Sequence, residues 1–346
     1  MSSLKPYRVM CIQSCPKQVS TTPRRRDTDM MDNLNRILEL IDFHMAFARE
    51  GVRLITLPEY SLNGVWQEIP MKEWLQVAVT LPNKCTELLS QRAKELNVYI
   101  AAHFLELHED WPGRFFNTAL LISPQGDFAL KHWKNNNNSW ILPYTTPSDI
   151  YDEFVERYGR QALFPVADTP LGKIGIITCG EIAYPENARC TCLNGAEVLV
   201  HMTAELMELW KWHYLRVARA IENKCYVLGT NVGAYLGCGM AAQQSQGGSS
   251  VIDFEGRELV QVPGAGEAVI KAVVDVNSVR EARAVPFWPT TLRSQMFARE
   301  YAEAPGWPLN TWLHKPIEGT DETRKLFGQI VEERYQKGVY TRPARD

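Results

Sequence analysis

A thiol, a carboxylate and an ammonium each stand at the end of a short apolar run, and together they are the parts of nucleophilic catalysis. Cys179 closes the run KIGIIT (173–178) and is followed by Gly180 and a segment opening at Pro185. A strand–turn–helix corner of this kind exposes a nucleophile at a sheet edge and turns backbone N–H groups toward it. Such donors suit a developing oxyanion. Glu59 lies just beyond the apolar LITL, where Pro58 ends the strand at Leu57. A carboxylate there sits at the rim of a buried sheet. Lys134 ends another strand-like run and precedes a polar loop. Taken singly, each has a plainer role: a buried structural thiol, a capped or exposed glutamate, a solvated lysine. As three strand ends of one α/β sheet they could converge on one pocket.

The elements that must position them can be read from periodicity. Segment 7–15 is an opening strand, and the polar 17–29, with Arg24, Arg25 and Arg26, reads as a solvated loop. Leu34, Ile37, Leu38, Ile41, Met45 and Ala48 recur at helical spacing, and Gly51 ends that helix. A strand over 53–57, a helix over 83–96 capped by Asn83 and a strand over 98–107 follow. Segments 115–122 and 127–133 flank the turn SPQG as a hairpin. The stretch after Lys134, NNNNSWILPYTTPSD, is loop by composition. Further on, 173–178, 197–204 and 226–235 read as strands, and Pro185 and Gly195 bracket a short helix. A helix over 208–223, a hairpin over 249–262 and a closing strand over 267–276 complete the pattern. Strands alternating with helices predict an α/β layered fold. Residues 1–285 read as one domain. Residues 286–346, rich in Pro and Trp, read as an extension that wraps its own surface or packs at an oligomer interface, with Trp288, Trp307 and Trp312 as anchors.

The composition narrows the function classes. Of 346 residues, 45% are hydrophobic and 22% charged, which is ordinary for a globular protein with a sizeable core. A net charge of −3 supplies no basic field, so neither nucleic acid nor an anionic membrane is an expected partner. No apolar run approaches the ~20 residues of a bilayer span, and MSSLKPYRVM has no secretory apolar core. A cytoplasmic protein is expected. Eight irregularly spaced cysteines argue against a disulfide framework, and Cys190-x-Cys192 without nearby ligands argues against structural zinc.

Five segments in order carry a family resemblance: LITLPEY, GDFALKHWKN, GIITCGEIAYPENAR, ARAIENKCYVLGTN and GGSSVIDFEGRE. The chain resembles the nitrilase superfamily, the carbon–nitrogen hydrolases, over most of its length. The resemblance implies a four-layer α-β-β-α sandwich that pairs into a homodimer or larger homo-oligomer, with no metal and no organic cofactor. It implies Glu59 as general base, Cys179 as nucleophile and Lys134, not its neighbour Lys131, as the lysine of the set. A second glutamate often assists in this family, after the lysine; Glu153 and Glu156 are the candidates here, Glu156 preferred. In the implied reaction Glu59 takes the thiol proton, Lys134 offsets the charge, and the Gly180 N–H with the ammonium holds the oxyanion.

Many nitrilases carry Cys-Trp-Glu where this chain has Cys179-Gly180-Glu181, while Tyr184-Pro185-Glu186 with Arg189 resembles amidases and carbamoylases. The expectation is therefore an amidohydrolase that cleaves a small linear amide or N-carbamoyl (ureido) compound and releases ammonia. The alternative is a nitrilase converting a nitrile to acid and ammonia. Asn135, in the run to Asn138, is a candidate for binding a polar substrate end, with Tyr184 and His201 as further pocket candidates. His201 also reads as a core residue behind the pocket. Glu186 and Arg189, three apart on one helical turn, read as structural.

Overall fold

The structure, a computed structural model, describes residues 4–48, 51–64, 69–136, 142–205, 209–238 and 247–344. In chain order its first half runs β1 (Tyr7–Gln13), α1 (Pro23–Ala48), β2 (Val52–Thr56), α2 (Met71–Val77), β3 (Val79–Thr80), α3 (Lys84–Leu96), β4 (Tyr99–Leu107), β5 (Phe116–Ile122) and β6 (Phe128–Trp133). The second half runs α4 (Tyr151–Tyr158), β7 (Val166–Thr169), β8 (Gly172–Thr178), α5 (Pro185–Leu193), β9 (Val198–Met202), α6 (Leu209–Asn223) and β10 (Tyr226–Thr230). There follow β11 (Ser250–Ile252), β12 (Glu258–Gln261), β13 (Ala268–Val274), α7 (Val276–Ala284), α8 (Ser294–Glu303) and α9 (Thr320–Gln336).

Among the described residues the strands form two sheets. One is ordered β13-β1-β2-β4-β5-β6 with β3 beside β4; the other is ordered β12-β11-β10-β9-β8-β7. Val9, Leu54, Ala101 and Leu121 of the first sheet pack against Ile174, Ile176, Val198 and Leu228 of the second. Helices cover the outer faces: Leu34, Ile37, Ile41 and Leu89 lie on the first, and Ala188 and Ala220 on the second. This is the α-β-β-α sandwich. The central strands β1, β2, β4, β8, β9 and β10 are mostly buried on both faces, in keeping with their largely apolar sequences. Each such side chain contributes about 1.5–3 kcal/mol by leaving water. The Thr56 and Thr230 hydroxyls hydrogen-bond across the gap between sheets.

Local chemistry explains where the elements begin and end. Asn83 caps α3, accepting from the Thr86 N–H at 3.0 Å while Thr86 Oγ1 accepts from the Asn83 N–H at 2.8 Å. The arginine triplet is not in a loop: α1 starts at Pro23, and Arg26 reaches the Gln76 and Ala78 carbonyls at 2.7 and 2.9 Å, tying α1 to the end of α2. Strand β10 stops at Thr230, short of the apolar pattern's end. Beyond it the chain packs backbone to backbone, and a Cβ on Gly233 would lie 2.1 Å from the Gly266 carbonyl oxygen. A ladder strand could not approach so closely.

Beyond α7 the chain partly folds back on itself. Asn310 N–H donates to the Ser148 carbonyl at 2.8 Å, Trp312 N–H to the Asp149 carbonyl at 3.0 Å, and Trp307 Nε1 to Asp149 Oδ1 at 3.2 Å. Arg114, at the entry to β5, donates to the Trp312 and Leu313 carbonyls. By contrast α8 buries none of its residues. Among the described residues, no helix is long and apolar enough to cross a membrane.

Candidate active site

Four strand ends meet at one edge of the sandwich. Strand β2 leads through Leu57 and Pro58 to Glu59, and β6 runs straight into Lys134; both belong to the first sheet. From the second sheet, β8 ends at Cys179 and β9 leads to Glu205. Lys134 Nζ donates to Glu59 Oε1 at 2.9 Å, with the lysine side chain 4% exposed and the glutamate wholly buried. Two buried charges persist only as a pair with further hydrogen bonds, and those are present. Asn117 Nδ2 donates to Glu59 Oε1 at 2.8 Å and to Tyr60 Oη at 2.9 Å. The Tyr60 N–H donates to His103 Nδ1 at 3.1 Å, which fixes the tautomer, so His103 Nε2–H donates to Asn117 Oδ1 at 2.8 Å. The backbone N–H of Lys134 donates to the Asn117 carbonyl at 2.9 Å. The ammonium also stands 5.4 Å from the ring centroid of buried Tyr144, within cation–π range.

These contacts set the protonation states. Burial would raise the Glu59 carboxyl, but the Lys134 ammonium and the Asn117 donor outweigh it and hold Glu59 below its ordinary value. Burial would lower Lys134, yet the Glu59 charge holds it well above. Glu59 Oε2 is buried without a hydrogen-bond partner among the described residues. A free carboxylate lone pair in a dry site is costly, and it is what a base needs.

The Cys179 side is held by its own network. Cys179 adopts φ 48°, a left-handed conformation that costs a non-glycine residue about 1 kcal/mol or more. His201 Nε2–H donates to the Cys179 carbonyl at 3.0 Å, its tautomer fixed because Arg216 Nε donates to Nδ1 at 3.1 Å. Burial first, and then the Arg216 charge, keep this imidazole neutral, its pKa well below the ordinary value. On the other flank buried Glu181 accepts from the Thr178 N–H at 2.7 Å, the Asn135 N–H at 2.6 Å and His132 Nε2 at 2.8 Å. Thus Glu181 links the Cys179 turn to the chain leaving Lys134. Glu181→Gln turns one acceptor oxygen into a donor facing a donor. It is expected to cost about 2 kcal/mol of unfolding free energy, read as a lower midpoint in a urea titration.

Burial raises the Cys179 thiol well above its ordinary pKa, the Glu59 and Glu205 charges add to this, and Lys134 opposes it. The resting sulfur is therefore a thiol. Its Sγ–H donates to Glu205 Oε1 at 3.0 Å. An open cavity of about 630 Å³ bordered by Cys15, Lys17, Arg36 and Glu267 contains none of these side chains. The candidate site is the separate cluster around Glu59, Lys134 and Cys179.

Other expected positions lie elsewhere. Lys131 pairs with Glu106 and lies 4.4 Å from the Trp133 ring centroid, away from Glu59. Glu153 and Glu156 do not enter the cluster: both are exposed on α4, and Glu153 accepts from Trp111 Nε1 at 2.8 Å. The helix buries its apolar Phe154 instead, which turns both carboxylates outward. Tyr184 is 41% exposed at the start of α5. Asn135 spends its side-chain donor on the Leu163 carbonyl, and Asn137 and Asn138 fall outside the described residues. His201 lies behind the Cys179 backbone. Glu186 accepts from Tyr301 Oη, and Arg189 donates to the Glu222 carbonyl at 2.7 Å. The sequence reading missed Asn117, His103, Glu181, Arg216 and Glu205. Asn117 had a signal, as a lone amide in the apolar FNTALLI, and so had Glu205, a carboxylate just past a strand.

Comparison with known proteins agrees with this architecture. The family model described as Carbon-nitrogen hydrolase matches residues 11–284. Omega-amidase NIT2-B of Xenopus laevis is 30% identical over 254 residues, 73% of this chain and 86% of that protein. A formamidase of Bacillus thuringiensis (strain Al Hakam) is 31% identical over 215 residues, 61% of this chain and 58% of that one. Among solved structures, Saccharomyces cerevisiae Nit3 superposes with TM-score 0.65 at 23% identity, covering 83% of this chain and 98% of its own. An amidase from Nesterenkonia AN1 does so with TM-score 0.60 at 18% identity, covering 87% and 98%. Both share the sandwich. The chain belongs to the carbon–nitrogen hydrolase family.

Proposed function

We propose that this amidohydrolase cleaves a small linear amide or N-carbamoyl compound through a Cys179 thioester, releasing ammonia. The observation that carries the reading is Glu59: Oε1 is held by Lys134 and Asn117 while buried Oε2 has no partner. Because the resting sulfur is protonated, its proton must leave as attack occurs, and the free oxygen of Glu59 takes it. The sulfur–carbon bond forms, and the carbonyl π electrons move onto oxygen. The Lys134 ammonium and the Gly180 N–H, in a turn whose first donors lack intrahelical partners, stabilise that oxyanion. Protonated Glu59 returns its proton to nitrogen, the carbon–nitrogen bond breaks, and ammonia departs. Water, deprotonated by Glu59, then attacks the thioester, releasing the carboxylic acid and restoring the thiol.

Amidase and formamidase relatives support an amide over a nitrile substrate. The test is intact-mass analysis after mixing with a panel of primary amides, ureido compounds and nitriles, with ammonia assayed in parallel. An amide or ureido compound should leave an acyl increment on Cys179 and release ammonia. An increment on another cysteine, or ammonia from nitriles alone, overturns the reading.

The proposal extends to assembly and setting. Trp210 and Tyr214 on α6 are 59% and 65% exposed, and Leu193, Trp288, Met296 and Phe297 are exposed as well. These apolar surfaces support a homo-oligomer in which residues 1–285 form the hydrolase domain and part of 286–346 meets a neighbour. A catalytic thiol that must stay reduced suits the cytoplasm.

A further inference from the structure

The proposed reaction uses Glu59, Lys134 and Cys179 and leaves a second carboxylate at the sulfur without a task. Glu205 places Oε1 3.0 Å from Cys179 Sγ. Its position is built. The Glu205 N–H donates to Asn231 Oδ1 at 2.9 Å, and Asn231 Nδ2 donates to the Glu205 carbonyl at 3.2 Å and the Gly247 carbonyl at 2.8 Å. Asn231 itself is wholly buried. Burial, opposed by the Cys179 hydrogen bond and reinforced by the Glu59 charge, lifts this carboxyl to about 7, so above neutral pH it is an anion.

An acyl carbon poised for attack stands about 3–3.5 Å from the nucleophile. With Glu205 Oε1 3.0 Å from the same sulfur, an acyl chain that leaves this carbon on the Glu205 side meets its carboxylate. Among the described residues, the cations near the sulfur are already engaged. Lys134 is bound to Glu59, and Arg216 Nε and Nη1 are bound to His201, the Gly248 carbonyl and Ser250 Oγ. Residues 65–68, 137–141, 206–208 and 239–246 contain no Lys, Arg or His in the sequence, but include Glu68 and Glu208. Among the described residues, neither cation near the sulfur is left without a partner to receive a substrate carboxylate.

We infer that Glu205 is the acyl-specificity residue of this hydrolase, accepting a hydrogen bond from an N–H near the scissile carbon and excluding acyl groups that end in a carboxylate. This deepens the amide-hydrolase proposal and rests on it. A ureido N–H bonded directly to the acyl carbon meets the requirement, as does an amino group a few atoms along the chain. Dicarboxylate mono-amides do not.

The test compares alkylation of Cys179 by iodoacetamide and iodoacetate at about pH 8.5, where a carboxyl of ordinary or modestly raised pKa is ionised. Rates are read by peptide mass and divided by those of glutathione. Both reagents attack the same sulfur, so the thiolate fraction cancels in the ratio. Wild type should favour the neutral reagent by about tenfold or more, the effect of one nearby like charge in a partly dry site. Glu205→Gln, and Glu205→Ala as a second replacement, should each bring the ratio most of the way to that of glutathione. A wild-type ratio equal to that of glutathione, or one unchanged in both variants, overturns the inference. Ammonia release from butanamide, 4-aminobutanamide and succinamate reads the hydrolase separately. Turnover of all three without charge preference sinks only the role of Glu205, whereas selective alkylation without turnover of any amide sinks the hydrolase reading.

Discussion

Cys179→Ala is expected to lose ammonia release by about 10⁴-fold or more, the scale for removing a nucleophile from a catalytic unit, while keeping the parent's melting behaviour. The two halves of this expectation have separate causes. Without sulfur no thioester forms, and the remaining Lys134 and backbone donors can only assist slow attack by water. Stability is spared because Cys179 stands in the turn after β8 and belongs to none of the apolar core clusters. Alanine inherits the same φ of 48°, so the backbone cost is common to both chains. His201 still binds the residue-179 carbonyl and Glu181 the Thr178 N–H, since both contacts are to backbone. Ammonia assays and thermal melts on the same sample check both halves. Turnover within tenfold of the parent would remove Cys179 from the chemistry.

Lys134→Met should do the opposite to stability. It is expected to cost about 3–5 kcal/mol, the range for breaking a buried ion pair from one side, and to remove turnover as well. Methionine fills the space but leaves the Glu59 carboxylate with only Asn117 as partner. The pH dependence identifies the cause. Glu59 is held below its ordinary value, so its contribution is present above that value and is lost as pH falls through its folded pKa. Lys134 is held above its ordinary value, so its contribution is present below that value and is lost as pH rises through its folded pKa. The gap between parent and variant should be widest between about pH 5 and 10 and should close on both sides. Adding Glu59→Leu to Lys134→Met should recover part of the lost stability but none of the activity, because an apolar pair no longer strands a charge. A gap independent of pH would mean lost packing, not lost pairing, and urea titrations across the range decide it.

Strand ends are legible in a sequence because a proline, a glycine or a polar run interrupts an apolar one. Glu59, Lys134 and Cys179 each stand at such an interruption, and the α3 cap at Asn83 and the β5–β6 hairpin were readable for the same reason. What surrounds them was not. Asn117 and His103 are inward-facing members of buried strands 14 residues apart, and their hydrogen bond appears only when β4 and β5 are paired in register. Arg216 was hidden in a helix whose periodic pattern suggested only packing. The glutamates of α4 were misread because loop length does not say which face of the next helix turns inward; Phe154 decides that. Glu205 was readable in principle, as a carboxylate just past a strand. It was passed over because the sequence does not reveal that β9 lies beside β8, with His201 level with Ile177 and Met202 with Thr178.

Glu59 and Lys134 are carried by one sheet and Cys179 by the other. Among the described residues no backbone ladder joins the two sheets, so in the proposed reaction the distance over which the proton hops is set by the thickness of the apolar filling between them. Leu54, Ile176 and Val200 thus act as shims. A methylene trimmed there, far from any reacting atom, changes the reach of the carboxylate to the sulfur. Under the proposed mechanism the packing of these residues therefore sets the reach of proton transfer as well as the melting temperature.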